Sequence, residues 1–156
     1  MIIRPAEKSE LEALLDLWEA LMANGEAAEP RFHVSSEARQ HMRGWAQSTW
    51  FERHPFARVW VASTPELVGF VHGFPRSALP VLDVEPTVRI GDLFVRPSAR
   101  GQGVGRALVE HLLGAATRAG FPRAEVGTLT ADSRARAFWT TLGFGDLMVT
   151  LTREPT

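Results

Sequence analysis

In the second half of the chain an apolar stretch, Ile90 to Val95, leads within a few residues to Arg100-Gly101-Gln102-Gly103-Val104-Gly105-Arg106, and this loop opens an amphipathic segment. The order dictates a strand that turns tightly into a helix. Three glycines at alternate positions let the backbone turn sharply and approach a ligand closely, so that peptide N–H groups converge at the positive end of a helix. Such a cradle suits a pyrophosphate, and Arg100 and Arg106 add charge beside it.

Two other glycine-loop chemistries fit these residues less well. A P-loop needs Lys followed by Ser or Thr, and neither follows here. A dinucleotide fingerprint needs glycine where Arg106 stands and belongs on the first strand of a domain, whereas this loop comes late in the chain. Glu125 does lie at the distance of a ribose-binding acid, but within the next strand instead of at its end.

Composition narrows the setting. A chain of 156 residues with 45% hydrophobic content can bury a core without staples, and residues 1–156 read as a single domain. The absence of cysteine removes disulfides, thiolate metal sites and cysteine nucleophiles, and makes a reducing cytoplasm the expected compartment. A formal net charge of -1 gives no overall basic field, so neither nucleic acid nor an anionic membrane is an expected partner. Met1 to Pro5 lacks a signal-peptide core, and no apolar run approaches membrane-spanning length. Lys8 is the one lysine among 17 basic residues; that bias toward arginine, with abundant Ala, Gly and Pro, suggests a GC-rich bacterial genome.

Along the chain, Met1 to Arg4 reads as an opening strand. Ser9-x-x-Glu12 has the form of a capping box, and Leu11, Leu14, Leu15, Trp18, Leu21 and Met22 then recur at helical spacing up to Gly25. A second helix is expected from Ser36 to Phe51. Ala57 to Ala62 and Leu67 to Phe74 read as a hairpin around Thr64-Pro65-Glu66, and Thr87 to Val95 as a further strand. Beyond the glycine loop come a helix ending near Gly120, a strand from Arg123 to Thr128, a helix from Ser133 to Leu142 and a last strand from Leu147 to Leu151. A crossover helix between Val95 and Arg123 implies an α/β (α+β) domain, a mixed sheet with helices on its faces.

The loop and its flanks resemble the GNAT acyltransferase superfamily. Its signature R/Q-x-x-G-x-G/A is matched by Arg100, Gly103 and Gly105; Leu93-Phe94-Val95-x-Pro97 resembles the strand that leads into it. Asp132-x-x-Ala135-x-x-Phe138-Trp139-x-x-x-Gly143-Phe144 is similar to the family's N-x-x-A-x-x-φ-Y-x-x-x-G-F helix. The resemblance implies a mostly antiparallel sheet flanked by helices, with acyl-CoA, most often acetyl-CoA, in a cleft between splayed strands. It implies that Gly101, Gln102, Gly103, Val104, Gly105 and Arg106 hold the pyrophosphate with Arg100. The backbone of Leu93, Phe94 and Val95 would pair with the pantetheine arm, and Gly91 is consistent with a bulge that opens the gap.

Family members transfer the acyl group directly to an amine, with a tyrosine as the usual acid. Here that position is Trp139, and the chain has no tyrosine. Trp139 is expected either against the thioester or in the core. Asp132 replaces the family's asparagine and is expected to cap its helix or contact pantetheine. Asp92 is the favoured base, Glu125 the second choice, and His72 a base of suitable intrinsic pKa. Trp45, Trp50, Phe51, His54 and Phe74 could line an acceptor pocket, with Glu26, Glu29, Asp83 and Glu85 attracting a cation. The short end after Phe144 leaves a wall that a second subunit could complete, making a homodimer. The resulting expectation is an N-acetyltransferase acting on a small-molecule or protein amine; the alternative is a non-catalytic acyl-CoA-binding module.

Overall fold

The computed structural model describes residues 1–155. Its elements follow in the order β1 (Ile2–Pro5), α1 (Leu11–Ala28), α2 (Ala38–Thr49), β2 (Val59–Ser63), β3 (Leu67–Arg76), β4 (Thr87–Val95), α3 (Val104–Arg118), β5 (Arg123–Val126) and α4 (Ser133–Thr141). The five strands form one sheet in sequence order. The first four are antiparallel, and β4 pairs with β5 in parallel after the crossover through α3. The expected mixed, mostly antiparallel sheet is therefore present.

Period-two alternation sends side chains to the two faces of this sheet. Val59, Val61, Phe70 and Phe94 pack with Leu14, Leu15, Trp18 and Trp50 under α1 and α2. Ala62, Val71, Val88 and Ile90 pack with Leu108, Leu112 and Trp139 under α3 and α4. Cross-helix ion pairs fasten the first layer from outside: Arg39 reaches Glu12 and Asp16, both at 2.9 Å, and Arg43 reaches Glu12 at 2.8 Å.

Three expectations require correction. The capping box is made by Glu7 and Glu10, not Ser9 and Glu12: the Glu7 N–H donates to the Glu10 carboxylate at 2.9 Å while Glu12 is drawn away by the two arginines. Helix α1 runs through Gly25 to Ala28, because Gly25 keeps a helical role and its carbonyl accepts the Glu29 N–H at 2.9 Å. The last strand, Leu147 to Leu151, does not form. Gly143, with φ 87°, turns the chain off α4, and Arg136 then holds Asp146 at 3.1 Å. Arg31 lies 3.9 Å from Glu154, so the segment is tethered at its far end to the connection after α1 and not to β5. Its Leu147, Met148, Val149 and Leu151 stay exposed.

Candidate functional site

The site is made by two irregularities in β4. Residues His72 and Asp92 are partners across β3 and β4, as are Gly73 and Ile90, which leaves Gly91 as the extra residue of a bulge. A Cβ at Gly91 would stand 3.1 Å from His72 Nδ1 and 3.3 Å from the Phe74 ring, so a side chain here would crowd both. On the other edge, pairing with β5 covers Thr87 to Ile90 against Arg123 to Val126 and stops. Past the bulge, the β5-facing backbone of Asp92, Leu93, Phe94 and Val95 lies outside that ladder. A bulged strand bends, and the bulge falls where β5 and its ladder with β4 end.

At the end of β4, Arg100 Nε donates to the Val95 carbonyl at 2.8 Å, and its guanidinium lies 5.5 Å from the Phe94 ring centroid. Burial, and secondly the neighbouring Arg134, push the Arg100 guanidinium down from its ordinary pKa. Two cations close enough to disfavour each other's charge make a place that an anion relieves. Gly101 and Gly103 have φ 74° and 78°, the left-handed conformation that glycine adopts without a Cβ penalty. Gly103 is the N-cap of α3, and the first closing bond runs from the Ala107 N–H to its carbonyl at 3.0 Å. The amides of Val104, Gly105 and Arg106 thus belong to the open first turn, aimed out of the helix start. Gln102 is exposed, and Arg106 reaches the Thr141 carbonyl at 3.3 Å and Glu110 at 3.6 Å.

Beside the end of this ladder, His72 Nδ1 is 3.2 Å from Asp92 Oδ2. The histidine side chain is 2% exposed and the aspartate 15%. The His72 ring is enclosed by Trp45 edge-on at 5.5 Å, Trp50 at 5.7 Å and Phe74 at 5.5 Å. Since an ionised carboxylate only accepts, the shared hydrogen belongs to the imidazole, which then holds Asp92 in place.

The remaining predicted residues fall into distinct places. Glu125, with its side chain 12% exposed, pairs with Arg76 and lies 3.5 Å from Arg123 and 3.8 Å from Arg89. Asp132 caps α4, its Oδ1 accepting the Ala135 N–H at 2.9 Å. Trp139 is 7% exposed and sits edge-on between Phe138 and Phe144, with centroids 5.0 and 5.2 Å away. Of the expected acceptor residues, Trp45 and Phe74 reach the site through His72, whereas Trp50 is core. Glu26 is occupied by the Val34 N–H and His33, and Glu29 by Arg31. Sequence reasoning missed Arg76, Arg89 and Arg134. Arg89 carried a signal, as a charge between Val88 and Ile90 in an alternating strand.

A glycine cradle at a helix start, an open strand edge leading from it, and an acid–imidazole pair at the far end define an acyltransferase-type α+β domain. The model of the Acetyltransferase (GNAT) family matches residues 14–144, and the chain belongs to that family. No curated protein sequence matches it significantly. Solved structures resemble it throughout. A point mutant of the BH1408 protein from Bacillus halodurans is 21% identical, with TM-score 0.80 and 100% of each chain covered. Aminoglycoside N-acetyltransferase AAC(6')-Iy in complex with CoA is 19% identical, with TM-score 0.73 and coverage of 99% of this chain and 93% of that one. The apo aminoglycoside 6'-N-acetyltransferase AAC(6')-IG from Acinetobacter haemolyticus is 18% identical, with TM-score 0.72 and coverage of 100% and 99%. At these identities the likeness is one of fold. No helix among the described residues is long and apolar enough to cross a membrane.

Proposed function

We propose that this chain is an N-acetyltransferase that moves the acetyl group of acetyl-CoA directly to a primary amine of a small molecule or protein. The observation that carries the reading is the end of the β4–β5 ladder, leaving the edge of β4 unpaired immediately beside the Asp92–His72 pair. Structures of the same fold in complex with CoA and with a CoA–aminoglycoside bisubstrate analogue support the co-substrate.

Amides of Gly101 to Arg106, with Arg100, receive the pyrophosphate. Leu93, Phe94 and Val95 offer strand backbone to the pantetheine amides. Trp139 packs behind this channel, and Asp132 shapes the start of α4. The amine lone pair attacks the thioester carbonyl carbon, and the carbonyl electrons move onto oxygen, where a bulge amide is placed to stabilise them. Collapse breaks the C–S bond, and the thiolate leaves with the bonding pair. The proton lost by the amine passes to Asp92, directly or through water, and the thiolate takes one from solvent. Glu125 serves to hold its arginines, because three guanidinium groups surround it. The same proposal includes the cytoplasm, consistent with a chain lacking cysteine, and a homodimer that covers the exposed residues 147–151.

Calorimetric titration with acetyl-CoA, followed by thiol release across a panel of amines, tests the reading. Saturable binding with amine-dependent release is expected. No binding at millimolar acetyl-CoA overturns it, and binding without amine-dependent release identifies a non-catalytic acyl-CoA-binding module.

A further inference from the structure

Resting on the acetyltransferase reading, we propose that the acceptor is an amine carrying a carboxylate, which the guanidinium groups of Arg89 and Arg76 bind while its amino group faces Asp92.

The register places these groups on one face. Arg89 lies opposite Phe74 on β3 and opposite Glu125 on β5, and Phe74 shares its face with His72 two residues away. Arg76 follows on the same face of β3, and the pairing of Asp92 with His72 puts the candidate base there too. Three guanidinium groups, those of Arg76, Arg89 and Arg123, share the single carboxylate of Glu125. Taking one negative charge from three positive ones leaves this cluster two positive charges in excess. The carboxylate is 12% exposed, whereas the side chains of Arg76, Arg89 and Arg123 are 46%, 35% and 40% exposed, so the cations stand at the rim.

Arg89 is the best placed of the three. Its approach to Glu125, 3.8 Å, is an ion pair without a hydrogen bond, which leaves its fork of donors available. Its guanidinium rests where a Cβ at Gly127 would be 2.7 Å from one of its nitrogens, immediately beyond the last β4–β5 pair. The missing side chain at position 127 thus lets a cation lie just past the end of the β4–β5 ladder. Arginine pairs bidentately with a carboxylate, a geometry that neither a hydroxyl nor a cation satisfies. Across the bulge Arg89 and Asp92 stand opposite Phe74 and His72, two residues apart on β3, which is about 7 Å of strand and within the span of one small amino acid.

Negative groups that would attract a polycation are mostly occupied. Arg31 and the Arg31 N–H hold Glu29 down to about 2, and the Val34 N–H and His33 hold Glu26 below its ordinary value. Glu12, Asp16 and Glu19 are tied to Arg39. Asp83 and Glu85 lie on the exposed loop between β3 and β4.

The test compares amino acids with their own carboxamides, alongside a polyamine and an aminoglycoside, by kcat/KM at saturating acetyl-CoA. The free acid is expected to exceed its amide by about 10-fold or more, as a site built around a polar partner rejects the analogue lacking it. Arg89→Gln should remove that preference mainly through KM of the acid, leaving KM of the amide within about threefold; Arg89→Lys should restore part of it. If Arg89→Gln melts early, Arg76→Gln and the wild-type comparison decide. Equal use of acid and amide, preference for the polycations, or equal loss for both substrates in the variants overturns the inference while leaving the transferase intact. Absence of turnover with every amine overturns both.

Discussion

His72 donates from Nδ1 to Asp92 Oδ2 across 3.2 Å at the one place where β3 and β4 are out of step. The bulge at Gly91 brings the carboxylate to the open edge of β4 while the imidazole stays buried. In the proposed reaction Asp92 is the base, and a carboxylate held in this way needs little reorganisation at the moment of attack. Asp92→Asn is therefore expected to lower kcat by about 10²-fold or more and to leave acetyl-CoA affinity within about threefold. Steady-state kinetics paired with calorimetry separates the two effects, and undiminished turnover would move the role of base elsewhere.

In the same proposal His72 acts through Asp92, as a positioning residue. Its replacement by Asn keeps an N–H donor near the carboxylate, whereas Phe keeps the aromatic packing against Trp45, Trp50 and Phe74 but has no donor. His72→Phe should retain the melting temperature yet lower kcat, and His72→Asn should recover part of kcat. Equal activity of the two variants would show that the histidine only fills space.

Gly103 tests the cradle separately from the chemistry. At φ 78° an alanine costs about 1–2 kcal/mol relative to glycine, and the cheapest relief is a rotation that withdraws the amides of the first turn of α3. Gly103→Ala should raise KM for acetyl-CoA about tenfold with kcat for the bound complex little changed. A variant with wild-type KM would place the pyrophosphate outside the loop.

The strand, glycine turn and helix start at residues 90–106 were legible in the sequence because their determinants are local. A strand, a turn and a helix start share consecutive residues, and Asp132 could be read as a cap from the helix it precedes. The arrangement around His72 and Asp92 depends on register. Nothing in the spacing of His72, Gly91 and Asp92 reveals that one extra residue on β4 aligns the outer two. Glu125 is similar: as a lone carboxylate in a strand it could be a base, and only the sheet brings Arg76, Arg89 and Arg123 around it. The missing last strand has the same origin. Leu147 to Leu151 has strand composition, but pairing requires a neighbour, and the tethers at Asp146 and Glu154 direct it elsewhere.

The fastening of α2 to α1 gives a pH prediction. Arg43 first, and then Arg39, hold the Glu12 carboxyl down to about 2 in the folded chain, against an ordinary 4.5. A depressed folded-state value means that the group's stabilisation is complete above the ordinary value and is lost as pH falls toward 2. Glu12→Gln should flatten the decline of melting temperature between pH 5 and 2 while lowering stability slightly at pH 7. Because Glu12 and both arginines are solvent-accessible, salt should shrink the difference between variant and wild type. A difference that grows with salt would show that the pairs do not fasten the helices.

The proposed homodimer follows from an edge and a segment that do not satisfy each other within one chain. Strand β5 ends the sheet, and Leu147, Met148, Val149 and Leu151 are each at least 63% exposed. Natural proteins blunt such edges with charge, proline or a covering element, and a chain with both an open edge and a separate exposed run of strand-forming apolar residues invites a second copy. Light scattering should therefore give twice the chain mass of 17.2 kDa at tens of micromolar protein. Val149→Glu should shift that equilibrium toward monomer and, if the partner's segment walls the acceptor site, raise acceptor KM while leaving acetyl-CoA binding intact. A wild-type monomer at these concentrations would show that the segment stays uncovered and that each chain completes its acceptor site alone.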